Sequence, residues 1–381
     1  MEVKNYPIFK VHVDVDGALE NLKTVLTSGF LNEGECVTQF TDFLNNYLNH
    51  KNVVLLNSCT SALTLALKLA GVSPNDEVIT TSMTCVATVT PISNLAAKVV
   101  WCDIDYKTGN IDPLKIESLI TKKTKAILCV NWAGIPCDLE MLQAICKKHG
   151  IKLIQDAAHS FGAKYNGESI CHYADYTCFS FQAIKHITTG DGGALICKSE
   201  QDFERAKKLK WFGIDRDATK NEKGEWKGQR WEVNILEAGY KFHMNNVSAA
   251  IGLSQIPHID NIIQSHIDNA NIYDNLFKDN PHIKPLKINK NTQPTYWVYT
   301  VILDESINRN DVLEKMNKQG IAAGLVHIPC DGYQCFEDSK TDLPHTKYFY
   351  EHQLSLPCGW WLNSEDINFI TNTLIKILHN E

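Results

Sequence analysis

Lys185 stands five residues after Ser180, which closes the apolar run Tyr176-Thr177-Cys178-Phe179-Ser180. A glycine turn, Gly190-Asp191-Gly192-Gly193, then leads into a second apolar run, Ala194-Leu195-Ile196. An amine held on a loop at the end of a buried strand is desolvated, which favours its neutral, nucleophilic form. The chemistry to expect of Lys185 is therefore Schiff-base formation with a carbonyl cofactor. A solvated surface lysine is the ordinary alternative, and Lys185 alone does not decide between them.

Two further segments narrow the choice. In Asn57-Ser58-Cys59-Thr60-Ser61-Ala62-Leu63 a short apolar run passes into a hydroxyl-rich helix start. Free amides and the positive end of the helix dipole then converge on one point, a cradle for phosphate in which Thr60 and Ser61 add hydroxyl donors. Simple helix capping explains the same residues. In Gln155-Asp156-Ala157-Ala158-His159 a carboxylate ends a buried run. Such a group is costly unless it meets a cation, and a protonated pyridine nitrogen is one. His159, three residues on, can reach a ring hydroxyl, although a partly buried structural histidine accounts for it equally. Ser180 offers a further phosphate contact. Cradle, carboxylate and Ser-x4-Lys, in that order and each after a strand, are the three handles that pyridoxal 5'-phosphate needs.

The elements that must position these residues alternate. Strands are expected at Val53–Leu56, Glu77–Thr80, Lys98–Asp103, Ala126–Val130, Lys152–Asp156 and Tyr176–Ser180, with helices between, among them Ala62–Ala70, Cys85–Leu95 and Leu139–His149. This pattern predicts an α/β fold with a mostly parallel sheet covered on both faces, whose ligands bind at the carboxyl ends of strands. Helices at Gly17–Thr27 and Glu35–Asn49 precede it. The polar stretch Asp215–Gln229 reads as an exposed excursion. A long helix starts near Asn246, runs past His266 and links a large domain, 1–250, to a smaller α+β domain, 251–381. That domain holds a strand at Tyr296–Leu303 and helices at Asn310–Gln319 and Asp366–His379.

Composition excludes several classes. With a formal net charge of −7 and no basic stripe, the chain is not expected to bind nucleic acid. No stretch approaches the roughly 20 apolar residues of a membrane helix, and the first residues lack a signal-peptide core. The 13 cysteines are scattered without paired spacing, which fits reduced thiols in the cytoplasm and leaves no metal site to expect. Cys330 and Cys335 have no second pair. The glycines after Lys185 do not form a dinucleotide fingerprint, which disfavours a nicotinamide oxidoreductase.

Over nearly its whole length the chain resembles the DegT/StrS-type nucleotide-sugar aminotransferases, fold-type I (aspartate aminotransferase-like) enzymes. The likeness is carried by Gly34, the Ser-x-Thr-x-Ala-Leu cradle, Asn75-Asp76-Glu77-Val78-Ile79-Thr80, Asp103-Ile104-Asp105 and Gly134-Ile135-Pro136-Cys137-Asp138. It continues through Asp156-Ala157-Ala158-His159, the Lys185 segment, Gly239-Tyr240-Lys241-Phe242-His243-Met244 and Leu354-Ser355-Leu356-Pro357. The resemblance implies a three-layer α/β/α large domain around a seven-stranded sheet, and a homodimer with its active sites at the interface. It makes Lys185 the Schiff-base lysine and proton shuttle, Asp156 the partner of the pyridine nitrogen and His159 a ring contact. Thr60, Ser61 and Ser180 become phosphate ligands, with Lys241 reaching a neighbouring subunit's cofactor. Cys85 stands where the family often stacks an aromatic residue on the ring, and Lys241 where it usually has asparagine.

The implied reaction moves an amino group from L-glutamate to the keto group of a nucleotide-linked keto-deoxy sugar, with carbon 4 favoured over carbon 3. Lys210, Arg216, Lys241 and His327 are candidates for holding the nucleotide diphosphate. Two alternatives keep the cofactor: a sugar dehydratase and a non-catalytic regulator. A dehydratase branch of the family carries histidine at the lysine position. Here histidine is next door, at His186, and the Ser-x4 position is Lys185.

Overall fold

The computed structural model describes residues 4–216 and 234–379. The expected excursion at Asp215–Gln229 lies almost entirely outside the described residues. Seven strands form the main sheet: β1 (Val53–Leu56), β2 (Glu77–Thr81), β3 (Lys98–Cys102), β4 (Thr124–Val130), β5 (Lys152–Asp156), β6 (Tyr176–Ser180) and β7 (Gly193–Cys197). Their order is β1-β7-β6-β5-β4-β2-β3. Pairing is parallel from β6 through β3, and β7 runs antiparallel to both its neighbours.

Alternation along the strands builds the layers. Val53 and Leu55 of β1, Ile127 and Cys129 of β4, and Ala194 and Ile196 of β7 face one core. That core also takes Phe40 and Leu44 of α2 (Glu35–Tyr47), which follows α1 (Val15–Ser28), and Leu142 and Ile145 of α5 (Leu139–His149). Val54 and Leu56, Ala126 and Leu128, and Leu195 and Cys197 face the other core. There they meet α3 (Cys59–Leu69), α4 (Val86–Asn94) and α6 (Glu200–Leu209). A sheet buried on both faces needs apolar residues at every position, which is why its strands read as continuous apolar runs. The expected α/β/α architecture with a mostly parallel sheet is what the structure has.

A third core lies around a three-stranded antiparallel sheet of β8 (Ile283–Pro285), β9 (Tyr299–Leu303) and β10 (Gln353–Leu356). It is packed by α9 (Arg309–Lys318), α10 (Pro344–His352) and α11 (Ser364–His379). Two expectations are corrected here. The long helix is two helices, α7 (Asn246–Gln255) and α8 (Ile259–Phe277), separated by a tight turn at Ile256–His258. Pro257 lacks the N–H that would continue the first helix, and its ring excludes the preceding carbonyl. α8 links the first core to the third, placing Ile259 and Ile263 in one and Tyr273 and Phe277 in the other. The strand expected from Tyr296 begins only at Tyr299, because Tyr296 takes a left-handed backbone (φ +46°) that breaks the extended run.

The Asp103 motif ties the two sheets' helices together. Its carboxylate accepts from the Thr346 amide and hydroxyl (both 2.8 Å), the His345 amide (3.1 Å) and Lys115 Nζ (2.9 Å). It thereby satisfies the first turn of α10, which no residue of its own caps. Among the described residues no helix is long and apolar enough to cross a membrane.

β7 starts directly beneath the first turn of α3. A Cβ on Gly193 would lie 2.5 Å from both Ser58 C and Cys59 N. We expect Gly193→Ala to destabilise the protein by about 2 kcal/mol, since backbone must shift to admit it. Urea unfolding measures this, and the α3 N-terminus should lose phosphate affinity in the same variant.

Candidate active site

The carboxyl ends of β1, β5 and β6 open onto one cavity of about 310 Å³, with Thr60, Asp156, His159, Ser180 and Lys185 all in its wall. These residues span 125 places of the chain, from Thr60 to Lys185; the parallel sheet brings them together.

Each is placed by its local structure. α3 starts at the cradle: Ser58 caps it, its Oγ accepting from the Ser61 amide at 3.1 Å. Ser58 and Thr60 line the cavity. Ser61 does not; its hydroxyl donates to Asn57 Oδ1 at 2.7 Å inside the capping network, so the capping explanation covers it. The Asp156–His159 loop rests on a buried amide network. Asn131 Nδ2 donates to Gln155 Oε1 (2.8 Å) and Ser160 Oγ (2.9 Å), while its Oδ1 accepts from the Cys137 amide (3.0 Å).

Asp156 is almost wholly buried. Burial pushes its carboxyl above the ordinary carboxylate range, opposed by the Ala158 amide, the Thr88 hydroxyl, nearby Lys185 and the Cys59 thiol. Oδ1 accepts from Ala158 N at 3.0 Å and Oδ2 from Thr88 Oγ1 at 2.8 Å; Thr88 in turn meets Thr84 at 2.8 Å. Lys185 is half-buried in the same wall. Burial lowers its amine from the ordinary 10.5 to about 8, with Asp156 resisting. Its Nζ sits 3.5 Å from the centroid of the Trp297 ring. His159 stacks on the same indole at 3.9 Å and 16°. Burial and the adjacent Lys185 hold His159 well below the ordinary histidine range, and its Nδ1 has no hydrogen-bond partner.

His327 lines the cavity too, pushed down to about 4 by burial and then by Lys185. Cys85 forms the rim as the cap of α4 and brings no ring. The other expected cations stand elsewhere. Lys210 and Arg216 both pair with Glu33, Arg216 at 2.8 Å, in a separate cleft of about 500 Å³. Lys241 lies 3.5 Å over the Trp211 ring, outside the cavity wall. His186, the neighbour that posed the amine-or-imidazole question, does not line the cavity. It is buried, with Nε2 3.0 Å from the Thr295 carbonyl.

Sequence reading missed Thr88 and Trp297. Thr88 repeats Thr84 at helical spacing before a buried helix, a pattern too common to mark a site. Trp297 was absorbed into an expected strand. Gly134 allows its approach: with φ +94°, it leaves room where a Cβ would meet Tyr296 N, His159 O and Trp297 N within 2.7–2.9 Å.

The hydroxyl-rich start of α3, a buried carboxylate with no cationic hydrogen-bond partner among the described residues and a lysine of depressed pKa share one cavity. Known proteins resemble the chain over almost its whole length. The model of the DegT/DnrJ/EryC1/StrS aminotransferase family matches residues 14–375. The chain belongs to this family. A UDP-4-amino-4,6-dideoxy-N-acetyl-beta-L-altrosamine transaminase of Campylobacter jejuni is 30% identical over 96% of each chain. The crystal structure of AtS13 from Actinomadura melliaura superposes with a TM-score of 0.90 at 33% identity, covering 98% of this chain and 99% of its own. The PLP-form of the putative sugar aminotransferase Spr1654 from Streptococcus pneumoniae gives 0.89 at 26% identity over 99% of each chain. As a DegT/DnrJ/EryC1/StrS aminotransferase, the protein has residues that fit pyridoxal phosphate at each of the three handles.

The depressed amine of Lys185 sets a stability test. Between pH 8 and 10.5 the unfolded chain keeps the proton that the folded chain has released, so stability rises with pH across that window. Below it the buried ammonium costs on the order of 3 kcal/mol. Cofactor-free Lys185→Met should therefore be more stable than wild type at pH 7. By urea unfolding this advantage should shrink by about half or more by pH 9.5. A constant difference across the range contradicts the buried amine.

Proposed function

We propose that this aminotransferase moves an amino group from L-glutamate to the keto group of a nucleotide-linked keto-deoxy sugar, with pyridoxal 5'-phosphate as cofactor. The observation that carries the reading is the enclosure of Lys185, lowered to about 8, with Asp156 in one cavity at the N-terminus of α3. Bound there, pyridoxal phosphate supplies an aldehyde that accepts an amine and a pyridine ring that takes up electrons released at the amine carbon.

The chain's own groups do the rest. The first amides of α3, with Thr60 and Ser180, hold the phosphate. Asp156, costly to ionise in its dry setting, is stabilised as carboxylate by a pyridinium proton. Lys185 Nζ, a free amine in a useful fraction near pH 8, takes the proton from the amine-bearing carbon and returns it. His159 and Trp297 wall off water, which prevents loss of the amine to hydrolysis.

The relatives support an amino-sugar product, and the lean to a carbon 4 ketone rests on names such as that of the Campylobacter jejuni transaminase. His327 is the one proposed diphosphate contact that lines the cavity. Lys210, Arg216 and Lys241 face other partners within the subunit, and a role for them belongs to a homodimer in which each reaches its neighbour's site. The 13 cysteines, all free, fit a reducing cytoplasm. We also place the boundary between a large and a small domain at 250/251. A dehydratase is disfavoured because His186 is turned into the Thr295 contact.

On addition of pyridoxal phosphate the protein should develop a near-visible absorbance band that bleaches with L-glutamate. A nucleotide-linked 4-keto sugar should restore it, and Lys185→Ala should lower turnover by about 10³-fold or more. A wild-type band that glutamate never bleaches overturns the donor assignment. Faster restoration by 3-keto sugars overturns the carbon 4 preference.

A further inference from the structure

The loop that carries Lys185 is tied on both sides to one short stretch of chain. The Trp297 indole N–H donates to the Ile184 carbonyl at 2.8 Å, and His186 Nε2 meets the Thr295 carbonyl at 3.0 Å. Between these two ties the Lys185 ammonium lies 3.5 Å from the Trp297 ring centroid. Among the described residues no hydrogen bond reaches this amine. The aromatic face is therefore its nearest favourable neighbour.

Trp297 is itself immobilised. It is 3% exposed, with Phe9 stacked on it at 4.5 Å and 21° and His159 at 3.9 Å and 16°. The preceding carbonyl, of Tyr296, is held by His266 Nδ1 at 2.8 Å, and the Thr295 amide donates to the Gly134 carbonyl at 3.1 Å. A ring fixed this firmly is a preorganised surface for a cation, and indole is the strongest of the aromatic faces.

We infer that Trp297 is the resting platform of Lys185: its face holds the amine whenever this is not bonded to cofactor, and its N–H fixes the loop so that the amine returns to one place. This role rests on the aminotransferase reading, because a lysine that stays permanently bonded or permanently solvated needs no such platform. It also answers the missing aromatic at Cys85, since the ring at this site comes from the segment entering the small sheet instead.

The charge environment of Lys185 is otherwise defined. Asp156, Cys59 and Cys85 favour its ammonium and burial disfavours it, while His159, His186 and His327 are held neutral beside it; Asp191 also lines the cavity. Replacing Trp297 removes none of these groups. The test is competitive acetylation of cofactor-free protein across pH 6 to 10, with the Lys185 peptide quantified by mass spectrometry. Trp297→Leu should lower the apparent pKa of Lys185 by about one unit. Trp297→Phe, which keeps a ring face, should shift it less, while both variants speed amide exchange at the Lys185 loop by removing the Ile184 bond. Trp297→Met replaces the leucine variant should that one not fold. An unmoved pKa, or equal shifts in the aliphatic and phenylalanine variants, overturns the platform. Because no cofactor is present, that failure leaves the aminotransferase reading standing.

Discussion

One constraint governs the rest of the structure: an amine and a carboxylate are both removed from water in a cavity that offers neither a direct ion pair. Burial raises Asp156 and lowers Lys185, so each is pushed toward its neutral form. A protein tolerates that cost where a ligand relieves it. A pyridinium satisfies the carboxylate and an aldehyde satisfies the amine, which is why the two groups point to one cofactor. The Ala158 amide and the Thr88 hydroxyl moderate the cost without removing it.

The fold supplies the enclosure. Parallel strands end together, so the loops after β1, β5 and β6 meet although they are far apart in the chain. α3 contributes free amides to the same space. The small sheet's approach closes it, with Trp297 coming from the segment just before β9 and His327 from the connection between α9 and α10. The Asp103 clamp on α10 and the passage of α8 from the large sheet's core to the small sheet's hold the two parts in that relation.

Much of this was legible in the chain. The sheet's strands are apolar at consecutive positions because both faces are buried, and each site segment follows one of them. The order of those segments singles out Lys185, Asp156 and Thr60, and the fold brings the three into one cavity wall. What could not be read was whatever depends on long-range approach. Thr88 looks like any helix residue, and Trp297 sits in a β-rich run whose break at Tyr296 no turn residue announces. Ser61 carries the same hydroxyl as Thr60, and only the fold shows it spent on Asn57. Lys210 and Arg216 are cations of the right kind whose common partner, Glu33, lies nearly two hundred residues away. Pro257 breaks a helix where apolar residues continue on both sides, so the apolar pattern alone runs straight through it.

The central claim is that one lysine, Lys185, is the carbonyl-reactive group of this cavity. Reconstitution with pyridoxal phosphate, borohydride reduction and peptide mapping test it most directly. The account predicts a pyridoxyl mass on the Lys185 peptide and on no other. A stoichiometric label on a different lysine, or none at all after saturation with cofactor, would contradict it.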